Sequence, residues 1–302
     1  MNKMYMKTVF SLLTLFAYMS NKALGGEPIS RETMLANIIK RDVAYDQNEI
    51  YEQNKHLLCS DPEEKQQANK TVDEIITKFE IYATNNNSIF NLHEKYNENA
   101  SLYFNNHKDQ TCIGNFHIMI KHLHMYDEIV NILWDPNGAK KYNPDFVSGK
   151  VVRAYRPDLL LIQKRYKSGF MGRHNYFYAL AAKYTGPNVT AIVMASVNVN
   201  DQNKKNKKNY ENVIVKSANS FKVDIDPDED IKNGKLNKVF VNLSGYVITK
   251  YDGMVKIIHI DSIDGDTPTN APQFYKLSRA SERMTALMDL SDYIDRKSHG
   301  SL

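Results

Sequence analysis

The chain has 302 residues and a formal net charge of +4 at pH 7, and charged residues make up 25% of the sequence. Acidic and basic residues are mixed, so the composition argues against the concentrated basic surface of a nucleic-acid-binding protein. Two cysteines, Cys59 and Cys112, are too few for a disulfide scaffold. An oxidising compartment would allow one bridge between them, but sequence alone does not establish the geometry.

The first 25 residues have the pattern of a secretory signal peptide. Lys3 and Lys7 form a basic start, and the apolar run from Val9 to Met19 is shorter than the ~20 residues that a membrane span needs. Ala23 and Gly25 are the small residues at positions −3 and −1 of a cleavage site. A buried N-terminal core helix is the alternative. Cleavage predicts a secreted mature protein.

The next part of the chain divides into a polar arm and the start of a domain. Residues 26–64 are polar and weakly patterned, with one short helical segment from Glu32 to Ile39. From Asp61 the sequence D-P-E-E has an acidic first turn and a proline at the first helical position, which predicts a helix start. We therefore divide the chain into a signal peptide (1–25), an N-terminal arm (26–64) and one domain (65–298). The apolar residues at helical spacing in the first helix of the domain are Val72, Ile75, Ile76, Phe79 and Tyr82.

The domain is predicted to have an α+β fold dominated by a long antiparallel sheet. Residues 100–120 alternate loosely, as two or three short strands do, and Asp127–Tyr142 has the apolar stripe of one amphipathic helix. Long strand-like segments follow, and a helix-like tail from Gln273 to Arg296 closes the chain. The predicted strands are 150–166, 174–184, 189–199, 238–251 and 254–263. A long curved sheet closed by one helix can enclose an apolar cavity, so this order favours a container.

The terminal helix is the predicted lid or wall of that cavity. Leu277, Met284, Leu287 and Met288 recur at helical spacing on one face. Ordinary core packing requires the same stripe, so the lid interpretation depends on its position after the last strand. Unbranched methionine side chains adapt to ligands of different shape, which suits a cavity wall.

The sequence contains no recognisable catalytic or metal-binding motif. His117, His122 and His124 lie five and then two positions apart, which is outside the usual zinc patterns. The alternating acids from Asp224 to Asp230 lack the glycine and the bidentate glutamate of a calcium loop. There is no G-x-S-x-G, no phosphate-binding glycine loop and no H-E-x-x-H. We therefore predict no enzyme activity, no catalytic residues, no metal site and no cofactor.

Four long segments carry a family resemblance. They are E-I-Y-E-x-N-K-H-L-L-C (Glu49–Cys59), E-I-V-N-I-L-W-D-P (Glu128–Pro136), R-H-N-Y-F-Y-A-L-A-A-K (Arg173–Lys183), and S-A-N-S-F-K followed by D-x-D-x-D-E-D-I (Ser217–Ile231). Together they span most of the chain after the signal, and they resemble the Fam-A proteins of malaria parasites. The resemblance implies a START-like helix-grip fold with a lipid cavity. It also implies transfer of phospholipid, phosphatidylcholine in particular, by a protein secreted towards the parasitophorous vacuole or the host erythrocyte.

The predicted ligand site combines wall residues and headgroup residues. The wall consists of Leu277, Met284, Leu287 and Met288. For the headgroup we select Trp134, Arg165, Tyr176 and Tyr178, since aromatic rings can hold a quaternary ammonium group such as choline. Core aromatics and an exposed strand arginine are the alternative interpretation of these four. The predicted partners are a phospholipid and, transiently, membrane surfaces.

Three functions are compatible with these features. The first is a secreted phospholipid carrier, which needs a continuous apolar interior on the order of 1,000 Å³ or more. The second is a non-transferring interaction or surface protein that keeps the fold and binds a host partner, and therefore needs no such interior. The third is a lipid hydrolase, which needs a nucleophile, a base and an orienting group that converge in the cavity.

Overall fold

The computed structural model describes residues 49–84, 89–105, 112–168, 173–205, 210–268 and 270–300. The predicted signal peptide, the helix predicted at 32–39 and most of the N-terminal arm lie outside these residues. Within the described ranges, no helix is both long and apolar enough to cross a membrane. Cys59 and Cys112 are free thiols.

The described ranges contain a long sheet, two long helices and several short helices. The α-helices are α1 (Glu49–Gln53), α2 (Pro62–Thr84), α3 (Tyr126–Trp134), α4 (Ser217–Ser220), α5 (Glu229–Lys232) and α6 (Gln273–Ser298), with 3-10 turns at Lys55–Leu57, Leu123–Met125 and Gly138–Lys141. The strands are β1 (Phe90–Asn97), β2 (Ala100–Asn105), β3 (Gly114–Ile120), β4 (Phe146–Arg156), β5 (Leu159–Tyr166), β6 (Asn175–Thr185), β7 (Val189–Ala195), β8 (Asn198–Asn200), β9 (Lys222–Asp224), β10 (Asn237–Lys238), β11 (Phe240–Tyr251) and β12 (Met254–Asp264).

Ten of these strands form one sheet in the order β1-β2-β3-β12-β11-β7-β6-β5-β4, with β10 beside β6. Neighbours along this path are antiparallel, and β10 pairs with β6 in parallel. The last two long strands of the chain therefore lie in the middle of the sheet, between β3 and β7. Strands β8 and β9 form a separate parallel pair.

The sheet separates two apolar layers. Helix α2 packs on one face, which we call the α2 face, where its buried residues meet those of β5, β6, β7, β11 and β12. Helices α3 and α6 pack on the opposite face, which we call the α6 face. Side chains alternate along each strand, so consecutive residues belong to different layers. On β7, Val193 faces α2 and Met194 faces α6.

Helix α2 begins where the sequence predicts it. The Asp61 carboxylate accepts hydrogen bonds from the backbone N–H groups of Glu63 (2.8 Å) and Glu64 (3.4 Å), which satisfies two donors that have no partner inside the helix. Four of the five predicted apolar positions are fully buried, and Tyr82 is partly buried. The ring of Phe79 packs over Gly245 of β11, where a Cβ would lie 2.9 Å from that ring.

Part of the predicted arm is attached to the sheet. The backbone N–H of Cys59 donates to the carbonyl of Ala154 on β4 (2.8 Å), and Glu64 forms an ion pair with Arg153. Residues 49–64 also contain α1 and a 3-10 turn. The described end of the arm is therefore packed structure.

Three predicted elements are divided in the structure. The segment 150–166 forms β4 and β5, joined by a turn at Pro157 and Asp158, because proline has no N–H to donate to a ladder. The segment 189–199 leaves the large sheet after Ala195 and continues as β8. The predicted helix 127–142 ends at Trp134, since Pro136 disfavours the helical conformation of the residue before it. A 3-10 turn follows. Strand β1 was not predicted, because most of its residues are exposed and polar.

Candidate ligand-binding cavity

A cavity of about 470 Å³ lies between the α6 face of the sheet and helix α6. Strands β5, β6, β7, β11 and β12 form its floor, α6 covers it, and the segment 142–145 closes one side. The floor residues are Lys164, Tyr166, Asn175, Phe177, Met194, Val241, Ser244, Tyr246, His259, Asp261 and Ile263, and the α6 residues are Arg279, Glu282, Arg283, Thr285, Ala286, Leu287, Met288 and Asp289. The lining is mixed, with aromatic, aliphatic and charged side chains.

Aromatic rings line part of this cavity. Tyr166 of β5 stacks on Phe177 of β6 with ring centroids 6.2 Å apart. Tyr246 of β11 stacks on His259 of β12 at 4.6 Å. Burial is the largest influence on Tyr142, Tyr166 and Tyr246, and it raises the pKa of each phenol, so all three stay neutral at physiological pH. Neutral rings present electron-rich faces that attract a cation.

Charged groups tie α6 to the floor. The Arg283 guanidinium donates to the Asp261 carboxylate (3.1 Å) and forms an ion pair with Asp266. Ser244 donates to the other oxygen of Asp261 (3.0 Å). Burial would lower the pKa of Arg283, but the two carboxylates outweigh it and raise the pKa. Burial raises the pKa of Asp266 in spite of the nearby guanidinium.

Two polar side chains in the cavity wall have a nitrogen atom that forms no hydrogen bond with the described residues. Lys164 is 6% exposed, and no residue in the described ranges forms a hydrogen bond or ion pair with its ammonium. Burial lowers its pKa to about 8 and outweighs the attraction of the Asp135 carboxylate, so the side chain is mainly charged at pH 7. The Nδ1 atom of His259 is buried and has no hydrogen-bond partner there, and burial lowers its pKa to about 4. A ligand group that accepts hydrogen bonds from Lys164 would remove part of the cost of burying this charge.

The predicted wall residues are only partly brought together. Leu287 and Met288 line the cavity. Leu277 is half-buried against the core on the same face. Met284 is fully buried outside the cavity lining. Its sulfur packs against Gly114 of β3, where an added Cβ would lie only 2.2 Å from the sulfur. Met284 is therefore a packing residue between α6 and β3.

The predicted headgroup residues do not line the cavity. Tyr176 and Tyr178 point to the α2 face, where their hydroxyl groups bond to Asp201 (2.9 Å) and Gln163 (2.8 Å). On β5, Arg165 faces the same side of the sheet as Gln163. It forms ion pairs with Asp228 and Asp230 at the start of α5 (2.5 and 2.6 Å). The sheet alternates, so the cavity receives the neighbours of these residues, Lys164, Tyr166 and Phe177.

Trp134 is also outside the lining. It is buried at the end of α3, and the Lys183 ammonium lies 5.4 Å from its ring centroid.

The sequence contains one feature that indicates the cavity floor. In the apolar strand β12, His259 and Asp261 are polar residues two positions apart. Two polar side chains on one face of a central strand indicate a cavity or a polar contact on that face.

The cavity is smaller than the sequence-based expectation for a carrier. That expectation is on the order of 1,000 Å³ or more. The observed volume is about 470 Å³. In this conformation the cavity can hold a lipid headgroup or part of one chain.

Ser244 is the serine of the cavity floor among the described lining residues, and its hydroxyl is held by a carboxylate. Ser244 donates to Asp261, which already accepts from Arg283, and no hydrogen bond joins Ser244 to His259 among the described residues. A serine nucleophile needs a base that is free to accept its proton, whereas the Asp261 carboxylate beside Ser244 also accepts from Arg283.

No family model matches the chain, and no curated protein sequence matches it. Solved structures do. Human STARD10 has a TM-score of 0.53 and 10% identity over 74% of this chain and 79% of that chain. Human StAR-related lipid transfer protein 5 has a TM-score of 0.51 and 8% identity over 78% of this chain and 98% of that chain. At these identities the likeness concerns the fold. The α+β, START-like helix-grip architecture, with a long antiparallel sheet and a C-terminal helix, is thus confirmed.

Proposed function

We propose that this chain is a phospholipid carrier that holds phosphatidylcholine-type lipids in the cavity beneath α6 and moves them between membranes. The observation that carries the proposal is that one cavity contains stacked aromatic rings and the Lys164 ammonium, which has no hydrogen-bond partner among the described residues. A phosphocholine group needs both, because its phosphate is anionic and its quaternary ammonium is attracted to aromatic faces. One of the two similar structures is, by its name, a lipid transfer protein.

The headgroup contacts follow from the charges of the lining. Lys164 would bind the phosphate, which would remove part of the cost of burying an ammonium that forms no hydrogen bond with the described residues. Tyr142, Tyr166 and Tyr246 would surround the choline methyl groups. Asp261 and Asp266 lie in the same lining, and with Arg283 they leave one net negative charge near the ammonium of the ligand when both are ionised.

Carriage requires that α6 opens. Each methylene group moved from water to an apolar site contributes about 0.8 kcal/mol, so a site that encloses even part of one chain lowers the barrier to transfer substantially. The present volume of about 470 Å³ fits the headgroup, and movement of α6 would admit the chains. Leu287 and Met288, which line the cavity from α6, would then contact the chains.

The protein would leave its lipid chemically unmodified and would act outside the cell that produces it. The lipid would leave unchanged, because the Asp261 carboxylate that accepts from Ser244 is already engaged by Arg283. The basic start and the short apolar run of residues 1–25 support secretion. The resemblance to Fam-A proteins extends this to the parasitophorous vacuole or the host erythrocyte, with phosphatidylcholine as the cargo.

The test is a transfer assay with the mature chain, residues 26–302. Labelled phosphatidylcholine should move between vesicles and be recovered intact by mass spectrometry. Lys164→Met and Tyr246→Leu should each slow transfer by about tenfold, the effect of losing one strong headgroup contact. Lys150→Met is the matched control, because Lys150 is exposed and paired with Asp228 away from the cavity.

One observation favours a second function, a START-fold protein that binds a host partner and transfers no lipid: the cavity volume of about 470 Å³ is about half of the ~1,000 Å³ expected of a carrier. This alternative would be supported if correctly folded protein moved none of the phospholipids tested and carried no co-purified lipid. Appearance of lyso-lipid or free fatty acid, absent with a heat-inactivated sample, would instead support hydrolysis.

A further inference from the structure

We propose that His122, Asp295 and His299 form a surface site for a transition-metal dication, zinc by ligand chemistry, which fastens the end of α6 to the turn after β3. These three residues each offer one ligand atom, and the three atoms lie within 4.8 Å of one another. They come from segments that are far apart in sequence, since His122 and Asp295 are 173 positions apart.

The three side chains already converge around the carboxylate. The Nε2 atom of His122 is 2.9 Å from Oδ1 of Asp295. The rings of His122 and His299 are edge to face with centroids 5.4 Å apart, and the ring of His124 lies 5.7 Å from that of His122. A metal ion would replace the hydrogen bond between His122 and Asp295. A shift of roughly an ångström in each side chain would place all three ligand atoms at the ~2.0–2.2 Å from the ion that zinc requires.

A second-sphere hydrogen bond prepares one of the histidines. The Nδ1 atom of His299 is 2.7 Å from the backbone carbonyl of Asp295, and a carbonyl can only accept, so Nδ1 carries the proton. The lone pair is then on Nε2. Histidines that bind metals characteristically donate the other ring N–H to a carbonyl or carboxylate, which fixes the tautomer and the ring orientation.

The donor set selects among metals. Two imidazoles and one carboxylate are ligands of zinc, whereas calcium and magnesium prefer oxygen donors throughout. A fourth position would be open to water because Asp295 and His299 are exposed. The site was not recognisable in the sequence, where His117 and His124 were the natural companions of His122. His117 instead lies within β3, largely buried, and is not one of the converging groups.

A bound metal would strengthen a contact that α6 already makes through His122 and Asp295. Other polar contacts of α6 are the Arg283 ion pairs near its middle and the Lys297–Glu128 ion pair (2.6 Å) near its end. Zinc would hold the last turn of α6 on the turn before α3. That it would also slow lipid exchange rests on the proposed function; the binding itself does not.

The test measures zinc binding to the untagged mature chain by titration calorimetry, without any lipid. We expect one zinc per chain and a rise in melting temperature when zinc is added, because a ligand of the native state stabilises it. Asp295→Asn and His299→Ala should each weaken zinc binding by about tenfold or more, since loss even of an outer-sphere partner costs that much. His56→Ala is the control, because His56 is exposed and outside the cluster.

Melting curves in chelator separate misfolding from loss of a ligand. Asp295→Asn and His299→Ala should melt within a few degrees of the unaltered chain when no metal is present, and should lose the zinc-dependent rise. The proposal is overturned if the unaltered chain takes up no zinc. It is also overturned if both variants bind zinc as tightly as the unaltered chain, or if His56→Ala weakens binding as much as they do. A loss of lipid transfer with zinc binding intact would count against the carrier proposal alone.

Discussion

The two faces of the sheet receive their helices differently. On the α2 face, Val72, Ile75, Ile76 and Phe79 are at most 1% exposed and pack into a continuous apolar layer. On the α6 face, the helix also buries an apolar stripe, but a cavity of about 470 Å³ with charged groups remains beneath it. The same strands serve both layers, because alternate residues point in opposite directions. Substitutions one residue apart should therefore separate stability from binding.

The largest expected effect is on the α2 face. Phe79→Ala should lower the free energy of unfolding by about 3–5 kcal/mol, because it removes a fully buried ring that neighbouring residues cannot replace. Urea unfolding measures this. Ile81→Ala on the same helix is the control, since Ile81 is 42% exposed and should change stability by less than about 1 kcal/mol. Similar losses in the two variants would mean that α2 is not the tightly packed layer.

Helix α6 provides the next test. Met284→Ala should cost about 2–5 kcal/mol, because Met284 is fully buried against Gly114 and outside the cavity lining. Lipid selectivity should be unaffected. The measurements are a thermal melt of lipid-free protein and a transfer assay. A change in acyl-chain preference with an unaltered melt would place Met284 in the lipid site.

The third prediction has the opposite sign. Lys164→Met should stabilise the protein at pH 7 by about 2–3 kcal/mol, since a pKa lowered from 10.5 to about 8 means that the fold opposes the charged form. The unfolded chain binds this proton more tightly than the native chain between the two pKa values. The stability of the unaltered protein should therefore rise with pH from about 8 towards 10.5, relative to Lys164→Met, and the gap between the two should narrow. Denaturant melts at pH 7, 8 and 9.5 measure it. A gap that stays constant with pH would show that Lys164 does not titrate in this way.

The smallest expected stability effect belongs to the cavity wall. Met288→Ala should cost less than about 1 kcal/mol, because one side of this residue already faces empty space. It should change which acyl chains are carried. The comparison with Met284→Ala, one helical turn away, is direct, since the same side chain is removed from a packed and from an unpacked position. Equal losses of stability would remove the distinction.

Much of the fold could be predicted from the sequence. The D-P-E-E start and the apolar spacing of α2 are local signals, and so is the stripe of α6. Alternation along β7 places Val193 and Met194 on opposite faces, and the structure has them there. The turn after Arg156 was missed, although Pro157 and Asp158 are residues that favour turns.

The site could be predicted only in part, because the sequence does not show which of two consecutive strand residues faces the cavity. In β6, Phe177 and Tyr178 are both apolar aromatics, so alternation gives no sign of which one faces the cavity. That depends on which layer α6 joins, and α6 lies nearly 100 positions later in the chain. A choice displaced by one residue moves every side chain to the other face. Tyr178 and Arg165 were selected, whereas their neighbours line the cavity.

Two glycines described above determine how each face tolerates sequence change. At Gly245 a Cβ would lie 2.3 Å from the backbone carbonyl oxygen of Ile192 and 2.9 Å from the Phe79 ring. At Gly114 the nearest atom would be the sulfur of Met284, which ends a flexible side chain. If both codons were randomised and the variants were selected for folding, the folded variants should have only glycine at position 245. At position 114 they should have glycine or alanine. Sequence diversity would then accumulate on the face that holds the cavity.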